Sequence, residues 1–297
     1  YMRSKGIVMV GTDFKPNVTL YPFFDTTAVE QYVARANKLT LRNNNLGYRT
    51  EVGNFEQVKI YDNNTATNVG TAYVVRASNT EVFIVNNQPT GSYNLASANL
   101  IGQSTGTSSR IVRYDHYTGR VTAANTNSIT LALDANSANN VSDYNASVLF
   151  VVAGTGAGQT ATITKYYGAN QVAILSNSVT VANADIYSIG TFSSDETGSF
   201  YGIFNVPGST FHTGQRIFRV DNSINNNPGS ATTYAEGTFF AEGLQTTQQG
   251  VQFAASPSAA AGVFTQTNTV AKSSTVTTSQ PWDPVAQTFM FDNANYP

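Results

Sequence analysis

The chain has 297 residues, 41% of them hydrophobic, so it can form packed cores in one large domain or in two to three small ones. Only 11% are charged, against about 25% in ordinary soluble domains, and the net charge of −2 argues against a nucleic-acid groove, which needs clustered Lys and Arg. Cysteine is absent, which excludes disulfides, cysteine–zinc sites and a thiol nucleophile.

The first 45 residues predict two strands and one short helix. Ile7–Val10 and Lys15–Asp25 are the strands, separated by a Gly-Thr-Asp turn. Thr27 and Glu30 have the spacing of a helix capping box. The apolar residues that supply the helical spacing are Val29, Tyr32, Val33 and Ala36.

Residues 46–190 predict an inserted β-domain. Short strands alternate with Asn, Thr and Gly turns every 8–12 residues, as in a sandwich, a barrel or stacked hairpins. A weak internal repeat covers about 102–133 and 154–183, each copy being a Gly-rich turn, a strand, a tight turn and two more strands. We therefore expect a domain of repeated hairpins here.

Residues 191–243 return to the pattern of the first strands. Ser199–Val206 and Arg216–Val220 are aromatic and β-branched runs on either side of a Pro-Gly break. Neither run can bury its apolar face alone, so the N-terminal stretch is the expected partner. The predicted fold class is mostly β: an Ig-like or similar β-sandwich of 1–45 and 191–243, interrupted by the insertion at an exposed turn.

Residues 244–297 predict an extended arm that leads into a further domain. The tract up to Gln280 is rich in Ser, Thr, Ala and Gln, with Lys272 as its one charge, and favours pairing with neighbouring chains. The chain begins at Tyr1 and ends without a closing element, so it is expected to be a piece of a longer polypeptide. No apolar run approaches the roughly 20 residues of a membrane span, so no membrane insertion is expected.

Patterns that could carry chemistry are better interpreted as turns. Gly154-x-Gly156-x-Gly158 lacks the helix and the GK[ST] ending of a phosphate-binding loop. His116 and His212 are far apart and have no ligand spacing around them, so neither a metal nor another cofactor is expected. Acids that could serve a glycosidase stand in turn contexts, where Asp bonds to its own backbone. These acids are Asp134, Asp143, Asp195 and Glu196.

Aromatic residues at the hairpin turns of the two repeats could form a surface-contact patch. Tyrosine combined with Asn can bind glycans, and packing in the core or between chains is the alternative role. The candidate surface-contact residues are Tyr114, His116, Tyr117, Tyr166 and Tyr167.

Six segments stand in order along 1–25 and 195–290. They are Met2-Arg3-Ser4, Lys15-Pro16-Asn17 with Tyr21–Asp25, Phe204-x-Val206-Pro207, Phe211-x-Thr213-Gly214-x-Arg216-x-Phe218-Arg219, Thr232–Gln248, and Asp283-Pro284-x-Ala286-Gln287-Thr288-Phe289. Together they resemble tail-fibre and baseplate-associated structural proteins of large tailed bacteriophages. The middle of the chain matches this family only loosely.

The resemblance implies a non-enzymatic virion component, often a homotrimer, with no catalytic residues. Its place would be a tail fibre, the baseplate or a collar appendage, after assembly in the host cytoplasm. Its partners would be copies of itself, neighbouring virion proteins and, in host attachment, a cell-surface glycan. The alternatives are a host-glycan-binding fibre domain, which needs an exposed Tyr and Asn patch, and a virion polysaccharide hydrolase, which needs two acids about 5–9 Å apart in a groove.

Overall fold

The computed structural model describes residues 1–42, 47–91, 98–135, 144–227, 229–241 and 288–292. It is 53% strand and 3% helical, with several antiparallel sheets, which confirms the mostly-β fold class. The chain begins with β1 (Lys5–Thr12), β2 (Tyr21–Phe24), β3 (Thr27–Ala28) and β4 (Val33–Arg35).

The prediction of a short helix after Asp25 is wrong. The segment contains a single 3₁₀ turn, Glu30–Tyr32, and the chain is extended again from Val33. No side chain caps the turn, so the capping-box pattern has no structural counterpart. The reason is tertiary: residues of β4 pair with a strand far along the chain, and β-branched valines suit that pairing better than a helix.

The next six strands form a closed barrel. They are β5 (Asn37–Leu41), β6 (Glu56–Asp62), β7 (Thr67–Ala77), β8 (Glu81–Pro89), β9 (Ala98–Gly102) and β10 (Ser108–Asp115). Their order around the barrel is β10-β5-β8-β7-β6-β9. Apolar residues alternate inward along each strand, for example Val58 and Ile60 on β6, which are fully buried.

A seven-stranded sheet follows, in the order β11-β17-β14-β15-β16-β13-β12. Its strands are β11 (Thr118–Arg120), β12 (Ala123–Asn125), β13 (Ser128–Thr130), β14 (Val148–Ala153), β15 (Thr160–Tyr167), β16 (Val172–Leu175) and β17 (Ile186–Ile189). A 3₁₀ turn, Gly168–Asn170, separates β15 from β16. The sheet has its own core, which includes Leu131, Leu149, Ile163 and Tyr166.

The last four strands complete a sandwich with the first four. They are β18 (Phe200–Val206), β19 (Gly214–Asp221), β20 (Tyr234–Ala241) and β21 (Thr288–Asp292). One sheet has the order β21-β1-β18-β4 and the other β20-β19-β2-β3. The predicted pairing of the N-terminal stretch with the region around 195–222 is confirmed, because β1 pairs with β18 and β2 with β19.

The sheet that contains β1 and β18 is buried on both faces. Ile7 and Met9 of β1 point into the core between the two sandwich sheets, while Val8 and Val10 pack on the opposite side. That opposite side contacts Val85 of the barrel and other residues of both inserted units. The near-continuous apolar run of β1 follows from this double burial, since strands covered on both faces lose the apolar–polar alternation.

The insertion therefore consists of two units, and it begins at Asn37 in β5, earlier than the predicted boundary at 46. The first copy of the proposed repeat is divided between the barrel (β10) and the seven-stranded sheet (β11, β13), whereas the second lies wholly in that sheet. The predicted arm, 244–297, lies outside the described residues except for β21.

Candidate functional site

Three of the five predicted surface-contact residues lie in the interior. Tyr114 and His116 are 5% and 1% exposed, and Tyr166 is fully buried in the core of the seven-stranded sheet. This corrects the expectation of a surface patch: the barrel and the sheet pack together at the turn that carries Tyr114 and His116. Tyr117 is half-buried and Tyr167 remains 45% exposed.

Tyr114 and His116 belong to a buried polar network between the barrel and the seven-stranded sheet. The Tyr114 hydroxyl donates to Asp134 Oδ2 at 2.6 Å, and the Asn87 amide donates to the same oxygen. His116 Nδ1 lies 3.2 Å from the Tyr114 hydroxyl, and its Nε2 lies 2.7 Å from the hydroxyl of Tyr187. Asn87 and Tyr114 come from the barrel, while Asp134 and Tyr187 come from the sheet unit, so the network joins the two units.

Asn37 extends this junction to the backbone. Its side-chain oxygen accepts hydrogen bonds from the amides of Tyr117 and Thr118, at 2.7 and 2.8 Å. Its amide group donates to the Tyr114 hydroxyl and to the Thr118 carbonyl. Because Asn37 opens the barrel and residues 117–118 open the next unit, these bonds fix the direction in which the chain leaves the barrel.

The environment of the network keeps Tyr187 protonated. Burial raises the pKa of Tyr187 well above its ordinary value, and the nearby Asp134 carboxylate acts in the same direction. A neutral phenol can both donate to a histidine nitrogen and accept from the Ala132 amide, which lies 2.9 Å away. The arrangement is suited to holding two units together, since each group named is enclosed by protein.

A small cavity lies beside the network. Arg35, Asn37, Asn87 and Thr118 are among its lining residues. It has room for about one water molecule, which is too little for a sugar. The Arg35 guanidinium stacks over the Tyr117 ring, 4.0 Å from its centroid, so this face of Tyr117 is already covered.

Two of the candidate acids, Asp134 and Asp195, are engaged in local structure. Asp195 Oδ1 accepts hydrogen bonds from the amides of Thr197 and Ser199, which closes the turn before β18. Asp134 belongs to the buried network, Glu196 is exposed and Asp143 lies outside the described residues. Such turn bonds are the structural role that Asp commonly has in loops.

The Gly-rich turn at 154–158 is held by a carboxylate from elsewhere in the chain. Asp185 accepts hydrogen bonds from the amides of Thr155 and Gly156, both at 2.9 Å. A side chain at Gly154, where φ is +105°, would overlap the Asp185 carboxylate. The amides that a phosphate would need are therefore already bonded to the protein's own anion.

A second buried carboxylate holds the turn at 103–107. Glu56 accepts hydrogen bonds from the amides of Arg49, Ser104 and Thr105. Burial raises the pKa of Glu56, but the hydrogen bonds outweigh it and hold that pKa below the ordinary 4.5. Glu56 thereby stabilises the barrel in its ionised form.

Glu56→Gln is expected to lower the free energy of unfolding at neutral pH by about 2 kcal/mol, the scale of hydrogen bonds to a charged group. Because the pKa of Glu56 is depressed in the fold, its contribution is present above about pH 4.5 and is lost as the pH falls through the folded value. Urea unfolding between pH 7 and pH 3 should show a flatter pH dependence for this variant. Exposed Glu51→Gln is the control, and equal pH profiles for the two variants would contradict the assignment.

The outer face of the β19–β20 pair carries exposed apolar side chains. Phe240 is 68% and Ile217 is 42% exposed, and they lie diagonally across the two strands, since Gln215 is opposite Phe240 and Ile217 is opposite Thr238. Beyond them along the strands, Arg219 and Glu236 form an ion pair at 2.9 Å. We call Gln215, Ile217, Thr238 and Phe240 the outer-face patch.

The outer-face patch was not predicted from the sequence, although the sequence contains a signal for it. Ile217-Phe218 and Phe239-Phe240 are adjacent apolar pairs within strands, and neighbouring residues of a strand point to opposite faces. Phe218 and Phe239 are buried in the sandwich core, so their neighbours must lie outside.

The part of the chain that the structure describes is mostly β and forms three units, with one closed barrel, a fixed polar junction and an exposed apolar sheet face. Within the described ranges, no helix is long and apolar enough to cross a membrane. No family model, no curated protein and no solved structure matches this chain.

Proposed function

We propose that this chain is a non-enzymatic structural subunit of a tailed-phage virion, in a tail fibre, the baseplate or a collar appendage. It assembles by β-packing between copies, as a homotrimer, and with neighbouring virion proteins. Six sequence segments, which follow one another in the same order as in tail-fibre and baseplate-associated proteins, resemble those proteins and support the virion assignment. The low content of charged residues also supports it, because charges are depleted in the cores of protein interfaces.

The outer-face patch carries the proposal. Full burial of such a side chain is worth on the order of 1.5–3 kcal/mol, so covering Phe240, which is 68% exposed, together with Ile217, which is 42% exposed, provides a corresponding fraction of that for each. The patch spans β19 and β20, and β20 is the terminal strand of its sheet, so a neighbour can contact both the face and the edge. An aromatic anchor with a polar rim, here the Arg219–Glu236 pair, is typical of interfaces.

The double variant Ile217→Asp with Phe240→Asp is expected to shift the protein from oligomer to monomer, measured by light scattering after size-exclusion chromatography. The fold should be retained, because both side chains point away from the core. Val112→Asp is the matched control, since Val112 is 49% exposed on barrel strand β10. Loss of association in the control alone, or a monomeric parent protein, would contradict assembly through the patch.

Cryo-electron microscopy of the intact particle tests the virion assignment itself. The assignment would be supported by density for several copies of this chain, each with its sandwich, barrel and seven-stranded sheet, in contact with one another around a symmetry axis. A particle in which this chain is absent from the fibre, baseplate and collar would overturn it.

A host-glycan-binding role is the second candidate, and Tyr167 favours it. This tyrosine is 45% exposed at the end of β15, and Lys165 Nζ lies 4.7 Å from its ring centroid. An exposed aromatic ring beside a cation offers a stacking platform for a sugar. This role would be supported if the protein binds glycans on an array and Tyr167→Ala abolishes that binding. The control is Tyr61→Ala on the barrel, which should leave the binding unchanged.

A further inference from the structure

Strand β21 differs from the other strands in how it is paired and how the chain reaches it. It pairs in parallel with β1, with Val8 beside Thr288 and Thr12 beside Asp292. The other pairs between described strands are antiparallel, including the pair that β1 forms with β18 on its opposite side. β21 is thus an added edge strand that arrives from the far end of the chain.

The connection to β21 is much longer than its position requires. β20 ends at Ala241 and β21 begins at Thr288, which leaves the 46 residues 242–287 between them, yet the two strands lie in contact. Connections within compact domains have a median of about 4–6 residues. A chain of 46 residues can span up to roughly 150 Å when extended, which is enough to reach a second molecule.

The edge of β1 has to be covered by a strand from some source. Val8 and Met9 of β1 are fully buried, and β1 lies at the centre of the sheet only because β21 flanks it. An uncovered edge along a strand this apolar would promote uncontrolled pairing between molecules. A β21 segment from another copy would cover it with the same backbone hydrogen bonds as the chain's own.

We propose that β21 is exchanged between copies: Thr288–Asp292 of one molecule pairs with β1 of a second copy in a closed homo-oligomer. Exchange of an identical element keeps the contacts of the fold and adds a link between molecules, so it costs little free energy. The long connection removes the strain that a short one would impose. The inference rests on the proposed self-assembly, and it names the element that joins the copies.

The test uses engineered disulfides in this cysteine-free chain, where every thiol is one that was introduced. In the double variant Thr12→Cys with Asp292→Cys, the register sets the two Cα atoms beside each other, about 4.8 Å apart, within the range of a disulfide. The control is Lys59→Cys with Thr71→Cys, on neighbouring barrel strands joined by a short turn, where the disulfide must form within one chain. Both proteins are oxidised in their native assembly and run on non-reducing denaturing gels, with light scattering of the unoxidised samples.

Covalent dimers or trimers of the Thr12–Asp292 variant, with monomers only for the control, are the expected result. An oligomer in solution that yields monomeric, internally linked chains would overturn strand exchange while leaving the proposed function intact. A monomer in solution with internally linked chains would overturn both. If the first variant folds poorly, the double variant Val10→Cys with Met290→Cys repeats the test, because these two residues are also paired between β1 and β21.

Discussion

Phe204→Ala is expected to lower the free energy of unfolding by about 3–5 kcal/mol, the scale of a large aromatic side chain deleted from a well-packed core. Phe204 is fully buried on β18, in the sheet whose two faces are both covered. Its ring lies 5.3 Å from that of Phe24 and 5.0 Å from that of Phe218, between the two sandwich sheets. Deleting it leaves a cavity that strands held by pairing on both sides cannot close.

Urea unfolding followed by circular dichroism measures this loss. Phe240→Ala is the matched control, because it removes the same side chain from the 68% exposed position on the outer face. Its free energy of unfolding should stay close to that of the parent protein, although its association should weaken. Similar losses of stability in the two variants would show that Phe204 is not at the centre of the core.

Gly198→Ala is expected to cost about 3 kcal/mol, which combines backbone strain with overpacking. Gly198 has a φ of +74°, and a Cβ atom there would overlap the carbonyl oxygen of Phe14. The overlap is with backbone, and it cannot be relieved by a side-chain rotation. The same turn is tied to β1's end by a hydrogen bond from the Phe14 amide to the Gly198 carbonyl, at 2.9 Å.

Gly106→Ala separates the two causes. Gly106 has a similar φ of +70°, but open space surrounds the position of its missing Cβ. Its variant should therefore show only the strain of the left-handed backbone, about 1–2 kcal/mol. The stability of each variant is measured by urea unfolding, and the extra loss in Gly198→Ala relative to Gly106→Ala is the cost of the overlap with Phe14. Equal losses of stability in the two variants would contradict the close approach of residues 198 and 14.

The sandwich could be predicted from the sequence because its signals are local. Alternating aromatic and β-branched runs between turns identified β18 and β19. The similar residue pattern in the first 25 residues identified their partners. The pattern could not reveal that one sheet packs against the inserted units on its second face. That burial depends on an apolar cluster that contains Val8 and Val85, which lie in separate units.

The polar junction could not be predicted for the same reason. Tyr114-Asp115-His116-Tyr117 has the composition of an exposed turn, and only the packing of the sheet unit on the barrel buries Tyr114 and His116. The helix prediction failed through another non-local effect. Helical spacing at Val29 and Val33 was outweighed by the pairing of β4 with β18.

The closed barrel determines where one copy can accept a strand from another. A barrel has no edge strand, and the seven-stranded sheet ends in β11 and β12, which have three residues each. The longer terminal strands belong to the sandwich, namely β20 and, where β21 is supplied in trans, β1. Each copy therefore offers few edges for strand addition, and the rotation between successive copies decides whether they close into a ring or extend as a filament.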